Sequence, residues 1–330
     1  MQYDDIIFNV NVTSTAKKLA EKYGYLPYMV QRYYEILHDW EEVKLLLEGN
    51  EKGIRQSIRC NDLKIKCKEL EKILRSKHVI LEKIPWTLHG YWVLHSNISI
   101  GALHEYLRGY YYIQGPASMI PPYVLAPRPK EIVADLAAAP GGKTTQMAQL
   151  MKNTGTIIAI EKDNRRIKAL VSNIRRLGVK NTIVLNMDAR KIKEFNDYFD
   201  KVLLDAPCTG EGLIPLKPER KTSRTISDLR KMHMFQVELL NLAIKITRPG
   251  GTIVYSTCSI APEENEYVLF KALEKNENIK ILKIQLPIGV SGLEEYKNIE
   301  FGKEFKYTRR FYPYLTGTEG FFIALLKKIS

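Results

Sequence analysis

From about Thr13 to Glu51, apolar side chains return at steps of three and four residues: Leu19, Tyr23, Leu26, Met29, Val30, Tyr33, Tyr34 and Leu37. That period is helical, so the segment predicts a small helical unit. Gly49 to Gly53 interrupts the pattern, Ser57 to Asn61 alternates like a strand, and Leu63 to Leu74 reads as a helix. Short strands follow near Val79-Ile80 and Tyr91 to Leu94, which completes a small α+β unit. Pro116, Pro121, Pro122, Pro127 and Pro129 mark a junction. The chain thus divides into a helical part at 1–52, an α+β part at 53–115 and a larger part at 116–330.

Beyond the junction, short apolar runs and helical patterns alternate. The runs are Ile132 to Leu136, Thr156 to Ile160, Thr182 to Leu185, Lys201 to Leu204 and Gly251 to Tyr255; the helical patterns are Lys143 to Met151, Asn164 to Leu177 and Leu229 to Thr247. Such alternation predicts an α/β fold with a parallel sheet covered on both faces. Ligands of these sheets bind beyond the carboxyl ends of the strands.

Composition narrows the class. With 330 residues, 45% of them hydrophobic and 26% charged, the chain holds more core material than one small domain needs. The opening MQYDDIIFNV places acids where a secretory signal is basic, and no apolar run approaches the roughly 18 residues that cross a bilayer. A cytoplasmic protein is expected. None of the four cysteines (Cys60, Cys67, Cys208, Cys258) has C-x-x-C spacing, so all four are expected as free thiols, and the six scattered histidines suggest no metal. A net charge of +13 points to a polyanion such as nucleic acid.

Residues 53–130 carry twelve Lys or Arg against five Asp or Glu, interleaved with Trp86, Tyr91, Trp92, Tyr106, Tyr110, Tyr111 and Tyr112. Cations beside aromatic faces suit unpaired RNA, although aromatic side chains at such positions also build cores. The stretch Leu216 to Lys231 holds Lys217, Arg220, Lys221, Arg224, Arg230 and Lys231 against Glu219 and Asp228, and predicts a phosphate-binding loop.

The first strand of the large part runs into Asp135-Leu136-Ala137-Ala138-Ala139-Pro140-Gly141-Gly142-Lys143-Thr144. Small residues and two glycines let a backbone approach a ligand closely, and the following helix offers free amides. A nucleoside or nucleotide cofactor is implied. A phosphate-cradling P-loop needs glycine where Ala137 stands, and the dinucleotide G-x-G-x-x-G pattern is absent. Glu161, ending the second strand, is placed to accept ribose hydroxyls, and Asp188, after the third, could face an adenine amino group.

The fourth strand ends in Asp205-Ala206-Pro207-Cys208-Thr209-Gly210-Glu211-Gly212 and the fifth in Ser256-Thr257-Cys258-Ser259. Neighbouring strand ends open on one crevice, which two thiols and an aspartate would then share. Carbon 5 of cytosine is too weak a nucleophile to take a methyl group unaided. A thiolate adding at C6 activates it, and an acid–base group such as Asp205 can hold N3 or the exocyclic amine. The residues alone leave open which cysteine attacks.

The motifs DLAAAPGGKTTQMAQLM, LLDAPCTGEG and YSTCSIAPEENE resemble the Sun (Fmu) family of RNA cytosine-5 methyltransferases, including its archaeal tRNA members. The likeness runs from about Ser57 to the terminal GTEGFFIALLKK. It implies a Rossmann-like seven-stranded sheet dependent on S-adenosylmethionine (SAM), with an antiparallel last strand and an RNA-recognition-motif-like unit at 53–115. It also implies that Cys258 attacks C6 and Cys208 assists release. The implied SAM residues are Ala137, Ala138, Ala139, Pro140, Gly141, Gly142, Lys143, Glu161, Arg166, Asp188 and Asp205, with Lys143 and Pro207 lining the base pocket. Where many relatives have a histidine-containing turn before GTEGFF, this chain has Pro313 to Gly317. With no further domain expected after Ser330, target choice falls to the N-terminal third and surface loops.

The sequence therefore predicts a monomeric RNA methyltransferase acting on structured RNA, with tRNA ahead of ribosomal RNA. Two alternatives stand beside it: a DNA or protein acceptor, the DNA enzymes using the Pro-Cys thiol as nucleophile, and an RNA-binding assembly factor without catalysis.

Overall fold

The computed structural model describes residues 3–192 and 194–330. Met1 and Gln2 of the acidic opening segment lie outside the described residues. The N-terminal helices are α1 (Asp4–Ile7), α2 (Ser14–Tyr23), α3 (Pro27–Leu37) and α4 (Trp40–Glu51). Local chemistry sets their limits: the Thr13 side chain accepts from Ala16 N at the start of α2, Gly24 ends α2 at φ 75°, and Pro27 opens α3. Helix α4 runs through Gly49 and ends at Glu51, inside the Gly49–Gly53 break that the pattern marks. Gly49 answers to packing instead, since a Cβ there would lie 2.7 Å from Tyr314 Cβ.

The second unit is β1 (Ser57–Cys60), α5 (Cys67–Ser76), β2 (Ile80–Lys83), β3 (Gly90–His95), α6 (His104–Leu107) and β4 (Tyr111–Ile113). Its strands are antiparallel in the order β2-β3-β1-β4, with Ile58 opposite Tyr91 and Arg59 opposite Tyr112. One sheet face, with Ile58, Cys60, Tyr91 and Tyr111, packs on Leu70 and Leu74 of α5. Tyr91, Tyr111 and Tyr112 are buried, so these aromatics are core rather than a stacking platform. The helix expected from Leu63 starts at Cys67, because the Asn61 carbonyl accepts from Lys64 N and Ile65 N and holds a turn there. The expectation of four free thiols is corrected: Cys60 and Cys67 are joined in a disulfide, S–S 2.10 Å. That turn brings the strand end and the helix start to a Cα separation of 5.8 Å, a closure that a search for C-x-x-C misses.

A short helix α7 (Ile120–Leu125) leads into the large unit. There follow β5 (Ile132–Asp135), α8 (Gly142–Leu150), β6 (Thr156–Glu161), α9 (Asn164–Leu177), β7 (Thr182–Asn186), β8 (Phe199–Asp205), α10 (Ile226–Ile246) and β9 (Thr247–Thr257). A capping box between Thr225 and Asp228 starts α10 earlier than its apolar pattern indicated. The remaining elements are α11 (Glu266–Leu273), β10 (Ile279–Leu282), β11 (Val290–Ser291), the small pair β12 (Glu295–Tyr296) and β13 (Ile299–Glu300), β14 (Arg309–Phe311), α12 (Pro313–Thr316) and β15 (Phe321–Lys328).

The large sheet runs β11-β14-β15-β9-β8-β5-β6-β7, with β10 also on β15. Strands β5 to β9 are parallel and β15 is antiparallel to β9, as expected. The sheet has nine strands rather than seven, because the outer edge of β15 takes β14 along its first half and β10 along its second, and β14 carries β11. Strand order reverses at β5, which pairs with both β6 and β8 and opens a crevice beyond their carboxyl ends. Among the described residues, no helix is long and apolar enough to cross a membrane.

Arg32 of α3 joins the helical unit to this sheet. Fully buried, it donates from Nε and Nη2 to Glu263, at 2.9 and 3.0 Å, and lies 3.3 Å from Glu211. Arg32→Ala strands two buried carboxylates and is expected to lower the unfolding free energy by about 3–5 kcal/mol. Chemical denaturation of the variant measures this, and a loss below about 1 kcal/mol would show that Arg32 is not the tether.

Candidate active site

The loop between β5 and α8 is shaped by contacts on three sides. Ala138 and Ala139 pack on Ala159 and Leu170. Gly141 takes φ 102°, which disfavours any side chain, and a Cβ on Gly142 would come 3.1 Å from the Tyr112 ring. The Ala139–Pro140 peptide is cis. Arg166 and Asn173 of α9 donate to the carbonyls of Ala139 and Pro140 at 2.5 and 2.9 Å.

Two adjoining cavities meet at Ala137. The larger, about 210 Å³, is lined by Tyr112, Gln114, Ser118, Asp135, Lys143 and Asp205 among others. The smaller holds Glu161, Arg166, Asp188, Pro207 and Phe235. Glu161 is buried. Its Oε1 accepts from Asp163 N at 2.9 Å, while Oε2 has no hydrogen-bond donor among the described residues, although Arg166 lies 3.5 Å away. An orphaned buried acceptor facing a cavity is what a ribose diol would satisfy, so the residues present fit a nucleoside. Asp188 accepts from Nε and Nη2 of Arg190 at 3.0 and 2.7 Å, and these bonds hold its carboxyl down at about 2. Asp135 accepts from Thr144 Oγ1 at 2.7 Å, yet its Oδ1 has no partner among the described residues. Burial pushes its pKa up to about 7.

The two thiols predicted to share a crevice do so: Cys208 Sγ and Cys258 Sγ lie 3.1 Å apart, both half-buried. The hydrogen bond with Cys258 and burial push the Cys208 thiol well above its ordinary pKa, so it keeps its proton. Beside them, Lys143 Nζ donates to Asp205 Oδ2 at 2.7 Å and to Ser118 Oγ at 2.8 Å, and Ser256 Oγ donates to Asp205 Oδ1 at 2.8 Å. Burial acts to lower the Lys143 pKa, but Asp205 outweighs it and the pKa rises.

Residues outside the predicted site hold the thiol loops together. Glu264 accepts from Thr209 N and Oγ1 at 2.8 and 2.7 Å, and Gln236 donates to both Glu264 and the Pro207 carbonyl. Gly212 N donates to the Cys258 carbonyl at 3.0 Å, and Gly320 N to the Gly212 carbonyl at 2.9 Å. Glycine is required at 212, where a Cβ would sit 1.9 Å from Gly320 O. Glu319, raised by burial, accepts from Ser118 N at 2.8 Å. The available signal was the run Glu263-Glu264-Asn265, three polar residues in a segment with no exposed face.

The basic loop differs from its expected form. Lys221 donates to the Tyr23 carbonyl at 3.1 Å, pairs with Glu51 and covers the Tyr25 ring, because the helical unit supplies those acceptors. Arg220 donates to the Thr209 carbonyl at 3.2 Å and so braces the Cys208 loop, and Arg224 donates to the Ser223 carbonyl at 3.3 Å. Lys217 is exposed.

The family model described as "16S rRNA methyltransferase RsmB/F" matches residues 122–327, and the one for the N-terminal domain of 16S rRNA methyltransferase RsmF matches residues 26–116. The chain is 39% identical to a tRNA (cytosine(49)-C(5))-methyltransferase of Pyrococcus abyssi, over 91% of this chain and 95% of that one. It is 42% identical to the 25S rRNA (cytosine-C(5))-methyltransferase nop2 of Schizosaccharomyces pombe, over 93% of this chain but 52% of the relative, and it spans 39–48% of three animal relatives. Among solved structures, a methyltransferase homolog from Pyrococcus horikoshii superimposes at TM-score 0.86 with 38% identity, covering 96% of this chain and 100% of that one. NSun6 of the same organism, solved with SFG, superimposes at 0.80 with 28% identity, covering 91% and 97%.

A carboxyl raised by folding keeps its proton while the unfolded chain loses it. The stability Asp135 contributes is therefore whole below about pH 4 and is lost as the pH climbs through about 7. Asp135→Asn stays neutral and can still accept from Thr144. Relative to the native protein it is expected to gain up to about 4 kcal/mol between pH 4 and pH 8. Denaturation midpoints of both proteins at the two pH values measure the change; a constant difference would refute the assignment.

Proposed function

The chain belongs to the RsmB/F family of RNA methyltransferases, and on that premise we propose that it methylates carbon 5 of a cytosine in RNA with Cys258 as nucleophile. One observation carries the reading: two thiols 3.1 Å apart at the ends of β8 and β9, beside the Lys143–Asp205 pair and the cofactor loop. SAM, when bound, supplies an electrophilic methyl group. Ala137 to Lys143, Glu161, Arg166, Asp188 and Asp205 are the residues that would hold it.

The chain's own groups do the rest. Cys258 forms a bond to C6, and the electron pair displaced from the C5–C6 double bond makes C5 nucleophilic. Asp205, kept in place by Lys143 and Ser256, accepts from the exocyclic amine or a protonated N3 and so favours cytosine over uracil. After methylation the C6–S bond breaks, returning its electron pair to the sulfur of Cys258, which takes a proton from Cys208, and the C5 proton passes to the Cys208 sulfur in its place. Cys208, which holds its proton tightly 3.1 Å from that sulfur, serves proton exchange during release. Lys217 supplies phosphate contact at the rim, and the net charge of +13 supplies affinity that depends on salt.

A tRNA is the first substrate class, because the relative matched over 95% of its length is a tRNA enzyme. Ribosomal RNA is the second, favoured by the nop2 likeness. Bisulfite sequencing of RNA with and without the gene separates the two.

Transfer of labelled methyl groups from SAM to tRNA or rRNA is expected to fall at least about a thousandfold in Cys258→Ala. Cys208→Ala should instead accumulate a denaturant-resistant protein–RNA complex that the double variant does not form. Activity retained in Cys258→Ala and lost in Cys208→Ala would reverse the two roles.

A further inference from the structure

A third cavity, about 280 Å³, opens beside the first and shares Ile113, Gln114 and Gly115 with it. Its other walls come from the linker before β1, with Ile54 and Arg55, from Pro116, and from Leu216 of the basic loop. The linker and the loop run close together, since a Cβ on Gly53 would come 3.6 Å from Pro215 O. We propose that this cavity receives the base of the nucleotide next to the target cytosine, an inference that rests on the RNA reading above.

Three features of the cavity point to a nucleotide. The wall is largely apolar, and Leu216 is 51% exposed, an apolar side chain held in water at the end of a charged loop. Cations flank it: Arg55 lines the cavity, its side chain 69% exposed with a loose partner in Glu82 at 3.8 Å, and exposed Lys217 follows Leu216 in the chain. Apolar surface for a base between cations for its phosphates is the pattern of single-strand sites. The cavity also adjoins the one that holds Lys143 and Asp205 across Ile113, Gln114 and Gly115, so a strand delivering a base to those residues runs beside it. A flipped target loses stacking on both sides, and a held neighbour offsets part of that cost.

The test uses fluorescence anisotropy with a labelled short RNA whose single cytidine is flanked by adenosines, and the same RNA with both neighbours abasic. The native protein is expected to bind the abasic RNA about tenfold more weakly. Leu216→Asp should bind the intact RNA about tenfold more weakly and distinguish the two RNAs by less than twofold. Arg55→Gln, which leaves the cavity's apolar wall intact, should weaken both RNAs equally and reduce the salt dependence. Melting temperature and SAM titration confirm that each variant is folded. An abasic penalty of the same size in the native protein and in Leu216→Asp overturns the proposal. Failure of the native protein to methylate any RNA overturns the catalytic reading instead, and the binding comparison still decides on the cavity.

Discussion

Carboxylates buried without water must find donors, and in this molecule that requirement holds the reacting groups together. Glu211 follows the Cys208 loop, and Glu263 and Glu264 follow the Cys258 loop; all three are buried. Arg32 binds the first two from the helical unit, while Thr209 and Gln236 bind the third. A buried ion pair adds little net stability over an apolar replacement, but breaking one member is costly, so the geometry it fixes is difficult to leave. Each thiol loop is thus tied to the other and to an element outside the sheet. The 3.1 Å contact between Cys208 and Cys258 is the result of this arrangement.

The same burial sets the charge of the site. Asp135, Glu264 and Glu319 are all raised by desolvation, and Asp205 is matched by Lys143. Lys143 is the ammonium lining the larger cavity, and its charge is already committed to Asp205. Little uncompensated positive charge therefore faces a sulfonium donor. Exposed positive charge lies outside, on Lys217 and Arg55, where solvent screens it.

Much of this was legible in the sequence because it is local. Helix α9 spans Asn164–Leu177, the residues its apolar period marked, and the thiols stand at the two strand ends where the turn residues placed them. What was not legible depends on contacts remote in sequence. Nothing local distinguishes Lys221, which binds Glu51, from Lys217, which is exposed, because the difference is the presence of the helical unit. Gly49 stands inside α4 because Tyr314 packs against it, and Glu264, in a run of polar residues, is buried by the sheet. The disulfide between Cys60 and Cys67 needed the turn that Asn61 organises.

The small α+β unit shows where that limit matters most. Its sheet has the strand order of a nucleic-acid-binding module, and its cations and aromatics suggested a surface on which bases stack. Yet Arg59 on that face is buried: its guanidinium donates to Gly142 O at 2.6 Å and Thr145 Oγ1 at 2.9 Å, and burial pulls it down to about 10. Tyr112 lies beside it, against Gly142. The face that might have met RNA instead braces the cofactor loop, and the strand leaving it delivers Gln114, Gly115 and Ser118 to the wall of the active cavity. Separating the small unit from the large unit would remove one side of the catalytic pocket along with any affinity it provides.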